Sequence, residues 1–160
     1  MITKKFYSTR IILFFSLCFT FGFTFAQDCG PLSLDSISNP GAYTYGSLTE
    51  ADGIRNGPDY NGATIYYPTN ATAHFTGMAI VPGFISPQSS IQNWGPFLAS
   101  HGIVTMTIGT NSLFDQPGDR GDALLDALIT LKEENTRSDS PLFGNMDTTR
   151  LGVGGWSMGG

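Results

Sequence analysis

The sequence contains very few of the residues from which disulfide scaffolds and metal sites are built. It has two cysteines, Cys18 and Cys29, and two histidines, His74 and His101, among 160 residues. Cys18 lies inside the apolar N-terminal run, which leaves Cys29 without an internal partner and excludes an internal disulfide. The His, Cys, Asp and Glu residues show no spacing typical of a metal site, and we predict no metal and no cofactor.

Basic residues are also scarce. The chain has 8 Lys and Arg against 13 Asp and Glu, and Lys4, Lys5 and Arg10 all lie in its first ten residues. No basic run follows them. The acidic remainder disfavours nucleic acids and anionic membranes as partners but leaves a neutral substrate open. We expect no nucleic-acid partner, and we expect the protein to be a monomer.

The one long hydrophobic run lies at the N-terminus. Residues 11–25 are almost wholly apolar, follow a basic start, and lead to the small residues Thr24 and Ala26. This pattern is typical of a secretory signal peptide. We predict a signal peptide at residues 1–26, cleavage after Ala26 and secretion of the protein, with no membrane anchor after cleavage. A membrane anchor is the alternative, but the run is shorter than the roughly 18 residues that a spanning helix needs.

Short apolar runs recur after residue 62. Their apolar residues are consecutive rather than alternating, which is typical of strands buried on both faces of a sheet. Residues 27–62 are rich in Gly, Pro, Ser and Asn and predict an irregular lead-in with one short strand near residues 42–47. The main predicted strands lie at residues 63–67, 77–81, 103–108 and 151–156.

Helical periodicity separates these strands. Residues 89–100 predict a helix that Pro96 interrupts or kinks, and in which Trp94 packs into the core. Residues 119–134 predict the clearest helix, and residues 135–149 predict a loop. Strands that alternate with helices predict an α/β fold with a mainly parallel sheet, in which functional groups gather where strands end.

One pentapeptide carries the clearest chemical signal. Gly155-Trp156-Ser157-Met158-Gly159 fits G-x-S-x-G and follows a predicted strand. In this motif a strained turn between strand and helix lifts the serine hydroxyl above the sheet, and the flanking glycines let the turn close. We predict Ser157 as a nucleophile and Met158 as the source of an oxyanion-binding N–H group. The alternative is an ordinary glycine-rich turn.

A second turn is predicted to complete the site. Val81-Pro82-Gly83-Phe84 follows the strand at residues 77–81, and a loop in this place can supply a second oxyanion-binding N–H, here from Phe84. Phe84 and Trp156 would then stand beside the serine as aromatic walls of a binding groove. The alternative for both aromatic residues is a place in the hydrophobic core.

The groups that activate such a serine are missing from the sequence. A serine needs a base, usually a histidine oriented by a carboxylate, and in this chain order both follow the serine. His74 lies in a polar turn and His101 in a helix-to-strand connection at the opposite end of the sheet, so we assign neither as the base. The chain ends at Gly160, directly after the turn. We interpret it as truncated and expect the triad Asp and His beyond Gly160.

The residues from Ala63 to Gly160 resemble the bacterial cutinases and poly(ethylene terephthalate)-degrading polyester hydrolases. The resemblance implies an α/β-hydrolase fold truncated after the nucleophile elbow, with residues 27–160 as the N-terminal part of the catalytic domain. The matching stretches are Tyr66-Tyr67-Pro68, Ile80-Val81-Pro82-Gly83-Phe84, Gln88-Ser89-Ser90-Ile91, Trp94-Gly95-Pro96, Leu98-Ala99-Ser100-His101-Gly102, Thr110-Asn111-Ser112, Asp115-Gln116-Pro117, Asp147-Thr148-Thr149-Arg150 and Gly155-Trp156-Ser157-Met158-Gly159-Gly160.

The resemblance also implies an activity and a set of roles. It implies hydrolysis of neutral polyesters and short acyl esters through an acyl-serine intermediate. Ser157 is the implied nucleophile, and Phe84 and Met158 supply the oxyanion-hole N–H groups. Phe84 and Trp156 flank an open, shallow groove, and Gln116 lies on a loop that borders it. Two positions depart from the common pattern, since tyrosine is common where Phe84 stands and histidine is frequent where Trp156 stands.

Other functions stay open at this point. A lipase or a carbohydrate-ester esterase would share the fold, and a non-catalytic secreted α/β domain would share the composition. No lid-like apolar insertion precedes the elbow, which disfavours a lipase activated at an interface. The 160-residue chain on its own is expected to be inactive, because it lacks the predicted base.

Overall fold

A five-stranded mixed sheet forms the centre of the described chain. The computed structural model describes Leu34 and residues 38–160, so the predicted signal peptide, its cleavage site and Cys29 lie outside the described residues. The spatial order of the strands is β1-β2-β4-β3-β5. The strands are β1 (Tyr45–Thr49), β2 (Ala63–Pro68), β3 (Phe75–Val81), β4 (Ile103–Ile108) and β5 (Met146–Gly155).

Two of the four strand pairings are antiparallel and two are parallel. β2 runs antiparallel to both β1 and β4, whereas β3 runs parallel to both β4 and β5. All four main predicted strands are present, and the short early strand lies a little later than predicted. β5 begins at Met146, so the end of the segment predicted as a loop at residues 135–149 is a strand. Because β3 runs parallel to both β4 and β5, these three strands end at the same edge of the sheet.

Burial differs between the strands. Nearly every residue of β2 and β4 is buried or close to it, as the consecutive apolar runs predict. β5 is different, because most of its residues are half-buried or exposed and Val153 is among the exposed apolar residues. The prediction that β5 is buried on both faces is therefore wrong for the described residues. In them, β5 is an outer strand with a neighbour on one side only.

The first helix is shorter than predicted. Residues Gln88–Ser90 form one turn of 3-10 helix, and α1 (Trp94–Ser100) begins four residues later. Pro96 is the third residue of α1, where a backbone N–H has no partner inside the helix, so it neither interrupts nor kinks α1. Trp94 is 51% exposed, which contradicts its predicted place in the core. Gly102 ends the helix in a left-handed conformation, with φ of 90°.

The second helix, α2 (Pro117–Glu134), matches its prediction closely. It begins two residues early because Pro117 suits the first helical position. The Asp119 carboxylate accepts a hydrogen bond from the Gln116 N–H at 2.8 Å. Ala127 and Leu131 are fully buried on the inner face of the helix. No helix among the described residues is long and apolar enough to cross a membrane.

A polar network on α2 ties down the irregular segment before β2. Asp126 is buried, forms an ion pair with Arg55 at 2.5 Å and accepts the Asp59 N–H at 3.1 Å. This hydrogen-bonded carboxylate raises the pKa of Arg55. Burial raises the pKa of the Tyr60 hydroxyl, which donates to the Arg55 carbonyl oxygen at 2.6 Å. The segment before β2 is thus held on α2 by an ion pair and hydrogen bonds as well as by packing.

Asp126→Ala is expected to lower the free energy of unfolding of the full-length protein by about 3 kcal/mol, because it leaves the Arg55 guanidinium without its buried partner. Denaturant unfolding followed by circular dichroism measures the change. Asp122→Ala on the exposed face of the same helix is the matched control. An equal effect of the two substitutions would contradict an anchoring role for Asp126.

Candidate active site

Two turns meet where β3 and β5 end. We call residues 82–86 the β3 turn and residues 155–159 the elbow. The last residues of the two strands are paired in the sheet, Val81 with Gly155. The Trp156 N–H then donates to the Val81 carbonyl oxygen at 3.2 Å, beyond the end of the strand pairing. The carboxyl ends of parallel strands are where functional loops gather in α/β sheets, and the two predicted motifs do lie side by side here.

Ser157 stands at the tip of the elbow in a strained conformation. Its φ is +54°, in the left-handed region that side chains rarely adopt. Residues Ser157–Gly159 form one turn of 3-10 helix, closed by the Gly159 N–H on the Trp156 carbonyl oxygen at 2.9 Å. Ser157 is exposed to solvent. A strained turn that projects a serine from the end of a strand is the geometry of a nucleophile elbow.

The glycines of the elbow are required by close contacts between backbone atoms. A Cβ atom at Gly155 would lie 1.8 Å from the Gly159 carbonyl oxygen, and one at Gly159 would lie 2.7 Å from the Val81 carbonyl oxygen. Neither neighbour is a flexible side chain that could move aside. The elbow therefore closes only with glycine at these two positions, as the motif predicts.

Two backbone N–H groups, one in the β3 turn and one in the elbow, have no hydrogen-bond partner among the described residues. The β3 turn touches the elbow, since a Cβ at Gly83 would lie 3.0 Å from the Ser157 Cβ. Within the described residues, neither the Phe84 N–H nor the Met158 N–H donates a hydrogen bond. The Gly83 carbonyl oxygen accepts from the Ser86 N–H at 3.2 Å. The Gly83 carbonyl and the Phe84 N–H belong to the same planar trans peptide group and point in opposite directions. The Phe84 N–H therefore points away from the interior of the β3 turn.

Exposed aromatic side chains surround the serine. Phe84 is 40% exposed and Trp156 is 61% exposed, so neither is buried among the described residues. Phe84 packs edge-to-face on Phe114, with ring centroids 5.9 Å apart. Trp156 and Trp94 line a cavity of about 270 Å³ whose floor includes Ile80. Phe114 was not predicted from the sequence, although an apolar Leu113-Phe114 pair within a polar loop could have indicated it.

Gln116 is linked to the segment that carries Phe114. It is exposed at the start of α2, and its side-chain amide donates to the Phe114 carbonyl oxygen at 2.8 Å. Its place on a loop that borders a binding groove stays a prediction.

The two histidines lie at the other edge of the sheet. His74 precedes β3, and its N–H donates to the Asn145 carbonyl oxygen at 3.0 Å. His101 follows α1, with its ring against Phe97 and its Nε2 3.1 Å from the Asn39 carbonyl oxygen. Over residues 38–160, no histidine accompanies Ser157. The same residues contain no cluster of His, Cys, Asp or Glu that could hold a metal ion.

Comparison with known proteins gives a consistent picture. A family model described as PET hydrolase-like matches residues 34–160. A bis(hydroxyethyl) terephthalate hydrolase from Streptomyces coelicolor is 48% identical over 102 residues, which are 63% of this chain and 31% of that protein. Lipase 1 from Moraxella sp. is 45% identical over 103 residues, with the same coverage of 63% and 31%. Cutinase est1 from Thermobifida alba is 39% identical over 118 residues, 71% of this chain and 38% of that protein.

The chain thus spans roughly a third of the length of these relatives. The strand order and the elbow after β5, with the β3 turn packed against it, agree with an α/β-hydrolase fold. On the family match and the fold together, the chain belongs to the PET hydrolase-like family of α/β-hydrolases.

Proposed function

We propose that the full-length protein is a secreted serine ester hydrolase that cleaves polyesters, cutin-like polymers or short acyl esters. The observation that carries this proposal is the elbow: an exposed, conformationally strained Ser157 lies against the β3 turn, and the N–H groups of Phe84 and Met158 have no partner among the described residues. Such an arrangement prepares a nucleophile and the binding site for the negative charge that its attack creates. Membership of the PET hydrolase-like family agrees with it.

The proposed reaction has two stages. The Ser157 oxygen attacks the ester carbonyl carbon while a base takes the hydroxyl proton, and the carbonyl oxygen becomes an oxyanion bound by the N–H groups of Phe84 and Met158. The tetrahedral intermediate collapses, the C–O bond to the alcohol breaks, and the alcohol leaves with the proton from the base. Water then adds to the acyl-serine in the same way and releases the carboxylic acid and free Ser157.

The base and its orienting carboxylate come from elsewhere in the protein. His74 and His101 lie at the opposite edge of the sheet from Ser157. We propose that the triad His and Asp follow Gly160 in sequence, as the chain order of α/β-hydrolases requires.

The surface around Ser157 suits a neutral, hydrophobic ester. Phe84, Ile85, Phe114 and Trp156 are all exposed there, a grouping that isolated surface residues do not explain. Their rings present flat apolar area without charge, which fits the acyl or aryl part of an ester. The relatives named for terephthalate ester and cutin hydrolysis support this substrate class.

Active-site labelling tests the proposal directly. The full-length protein should release p-nitrophenol from p-nitrophenyl butyrate, and a fluorophosphonate probe should stop this activity by bonding to one serine. Mass spectrometry of the labelled peptide is expected to place the phosphonate on Ser157. Labelling of another serine, or turnover that the probe does not affect, would contradict the proposed nucleophile.

A lipase is the second candidate, because one relative at 45% identity is named Lipase 1. Three substrates distinguish a polyester hydrolase, a lipase and a carbohydrate-ester esterase. They are a polyester film, emulsified long-chain triglyceride and an acetylated polysaccharide, and the hydrolysis rate is measured on each. We expect the film and short-chain esters to be hydrolysed faster than the triglyceride. The opposite order would make the protein a lipase, and preference for the polysaccharide would make it a carbohydrate-ester esterase.

Phe114→Ala is expected to raise KM for an aromatic ester by about three- to tenfold, because it removes the ring that packs on Phe84 and borders the groove. The KM for p-nitrophenyl acetate should change less, since that small acyl group reaches little of the groove. Steady-state kinetics on both substrates measure the effect. Phe143→Ala is the control, because Phe143 is similarly exposed but precedes β5 at the opposite edge of the sheet. Equal changes in the two variants would contradict a binding role for Phe114.

A further inference from the structure

Arg120, in the first turns of α2, is a buried cation without a carboxylate partner among the described residues. It is only 1% exposed, whereas the ion pairs of the described residues involve Arg55, Arg137 and Arg150. Burying a charged group removes its hydration and is costly unless hydrogen bonds replace the water. The groups that Arg120 contacts therefore explain why an arginine is tolerated there.

Three backbone carbonyl oxygens surround the guanidinium. Arg120 donates from Nη1 to Pro82 at 2.7 Å, from Nε to Asp115 at 3.0 Å and from Nη2 to Leu113 at 3.3 Å. Pro82 belongs to the β3 turn, while Leu113 and Asp115 belong to the segment between β4 and α2. One rigid, planar side chain thus joins two segments that are far apart in sequence.

Both segments are part of the candidate active site. Pro82 is followed by Gly83, which lies against Ser157, and then by Phe84, whose N–H has no hydrogen-bond partner among the described residues. In the other segment, Phe114 stands in sequence between Leu113 and Asp115, and its ring packs on the Phe84 ring. One further hydrogen bond joins the segments, from the Ile85 N–H to the Leu113 carbonyl oxygen at 2.8 Å. Ile85 has a φ of +54°, so the β3 turn is itself strained and needs support.

We propose that Arg120 is a positioning residue for the oxyanion site. The guanidinium holds the Pro82 carbonyl oxygen on one side of Phe84 and, on the other side, the Leu113 carbonyl oxygen that also accepts the Ile85 N–H. Both ends of the short backbone stretch that carries the Phe84 N–H are thereby fixed. By holding Leu113 and Asp115 at the same time, it keeps Phe114 against Phe84. This role for Arg120 rests on the ester-hydrolase function proposed above. Arg120 touches no substrate, and its effect on the reaction passes through Phe84.

Lysine cannot replace this arginine. An ammonium group is a compact charge on a flexible stem, whereas the guanidinium directs several N–H donors in fixed directions. Arg120→Lys retains the positive charge and the packing of the stem but cannot hold carbonyl oxygens from both segments in the same geometry. The substitution therefore tests whether the fixed directions of the guanidinium N–H donors are required, or whether a positive charge at this position is sufficient.

The test compares an ester with its thionoester, in which sulfur replaces the carbonyl oxygen, in the full-length protein. N–H groups aimed at a small oxyanion discriminate against the larger sulfur, so the ratio of the two kcat/KM values reports on the oxyanion site. Arg120→Lys is expected to lower kcat/KM for the ester by about 100-fold, mainly through kcat, and to lower the ester-to-thionoester ratio by about tenfold. A partial loss of folded enzyme lowers both rates equally and leaves the ratio unchanged.

Arg137→Lys is the matched control. Arg137 is also an arginine with a buried partner, Glu134 at 2.6 Å, but it lies at the end of α2 away from Ser157. Its substitution should leave the ratio unchanged even if stability falls. An unchanged ratio in Arg120→Lys, whatever its stability, would overturn the positioning role. Failure of the proposed function is distinguishable, because Ser157→Ala would then retain the wild-type rate on the ester.

Discussion

Ser157→Ala in the full-length protein is expected to lower kcat for p-nitrophenyl butyrate by about four orders of magnitude or more, because it removes the atom that forms the acyl intermediate. The residual rate should come from the oxyanion site and substrate binding alone. Stability should change little or rise slightly, since the exposed serine side chain makes no hydrogen bond within the described residues. Initial-rate kinetics measure the activity, and thermal unfolding measures the stability.

Ser138→Ala is the control for this substitution. Ser138 is also exposed, but its hydroxyl contacts only Asp139, beyond the end of α2. Its rate should equal that of the wild type. A Ser157→Ala enzyme with the wild-type rate would overturn the assignment of the nucleophile, and loss of the rate in Ser138→Ala as well would indicate a general defect of folding rather than of chemistry.

Gly155→Ala is expected to be the most damaging substitution that leaves all reacting atoms in place. Its methyl group would lie 1.8 Å from the Gly159 carbonyl oxygen, so the elbow has to open. We expect kcat/KM to fall by about 100-fold or more, as when an oxyanion donor is lost, because the Met158 N–H moves together with the elbow. The strain should also lower the free energy of unfolding by about 3 kcal/mol.

Gly152→Ala is the matched control, because Gly152 lies on the same strand but outside the elbow. A Cβ at Gly152 meets only the Met78 Cβ, at an ordinary 3.9 Å. This variant should keep both activity and stability. The rate of fluorophosphonate labelling of Ser157 is the additional measurement, since it should fall in Gly155→Ala and remain unchanged in Gly152→Ala. Normal labelling of Gly155→Ala would contradict the requirement for glycine in the elbow.

The strands and the nucleophile motif could be predicted because their signals are local. Residues 103–108 are apolar or β-branched throughout, which indicates a buried strand without reference to any partner, and they form β4 as predicted. The spacing of glycine and serine at 155–159 likewise marks the elbow, in which a Cβ at Gly155 would meet the carbonyl oxygen of the nearby Gly159. The same holds for α2, whose inner face is marked by residues such as Ala127 and Leu131.

Predictions of burial were less successful. Trp94 has the apolar character and helical spacing of a core residue, yet it is half-exposed beside Trp156 because α1 starts at that residue. β5 has the composition of a central strand but is an outer strand in the described residues. Burial depends on which elements lie opposite a side chain, and periodicity along one element does not contain that information.

The sequence by itself determined the main helices and strands and the place of the elbow, because apolar runs, helical periodicity and the spacing of glycine and serine are local signals. The contact between the β3 turn and the elbow was predicted from the two motifs, but only the tertiary structure brought Phe114 against Phe84. It also decided the place of Arg120, whose acceptor Pro82 lies 38 residues earlier in the chain. Backbone carbonyl groups occur at every residue, so no residue type in the sequence reveals which of them a buried guanidinium will hold.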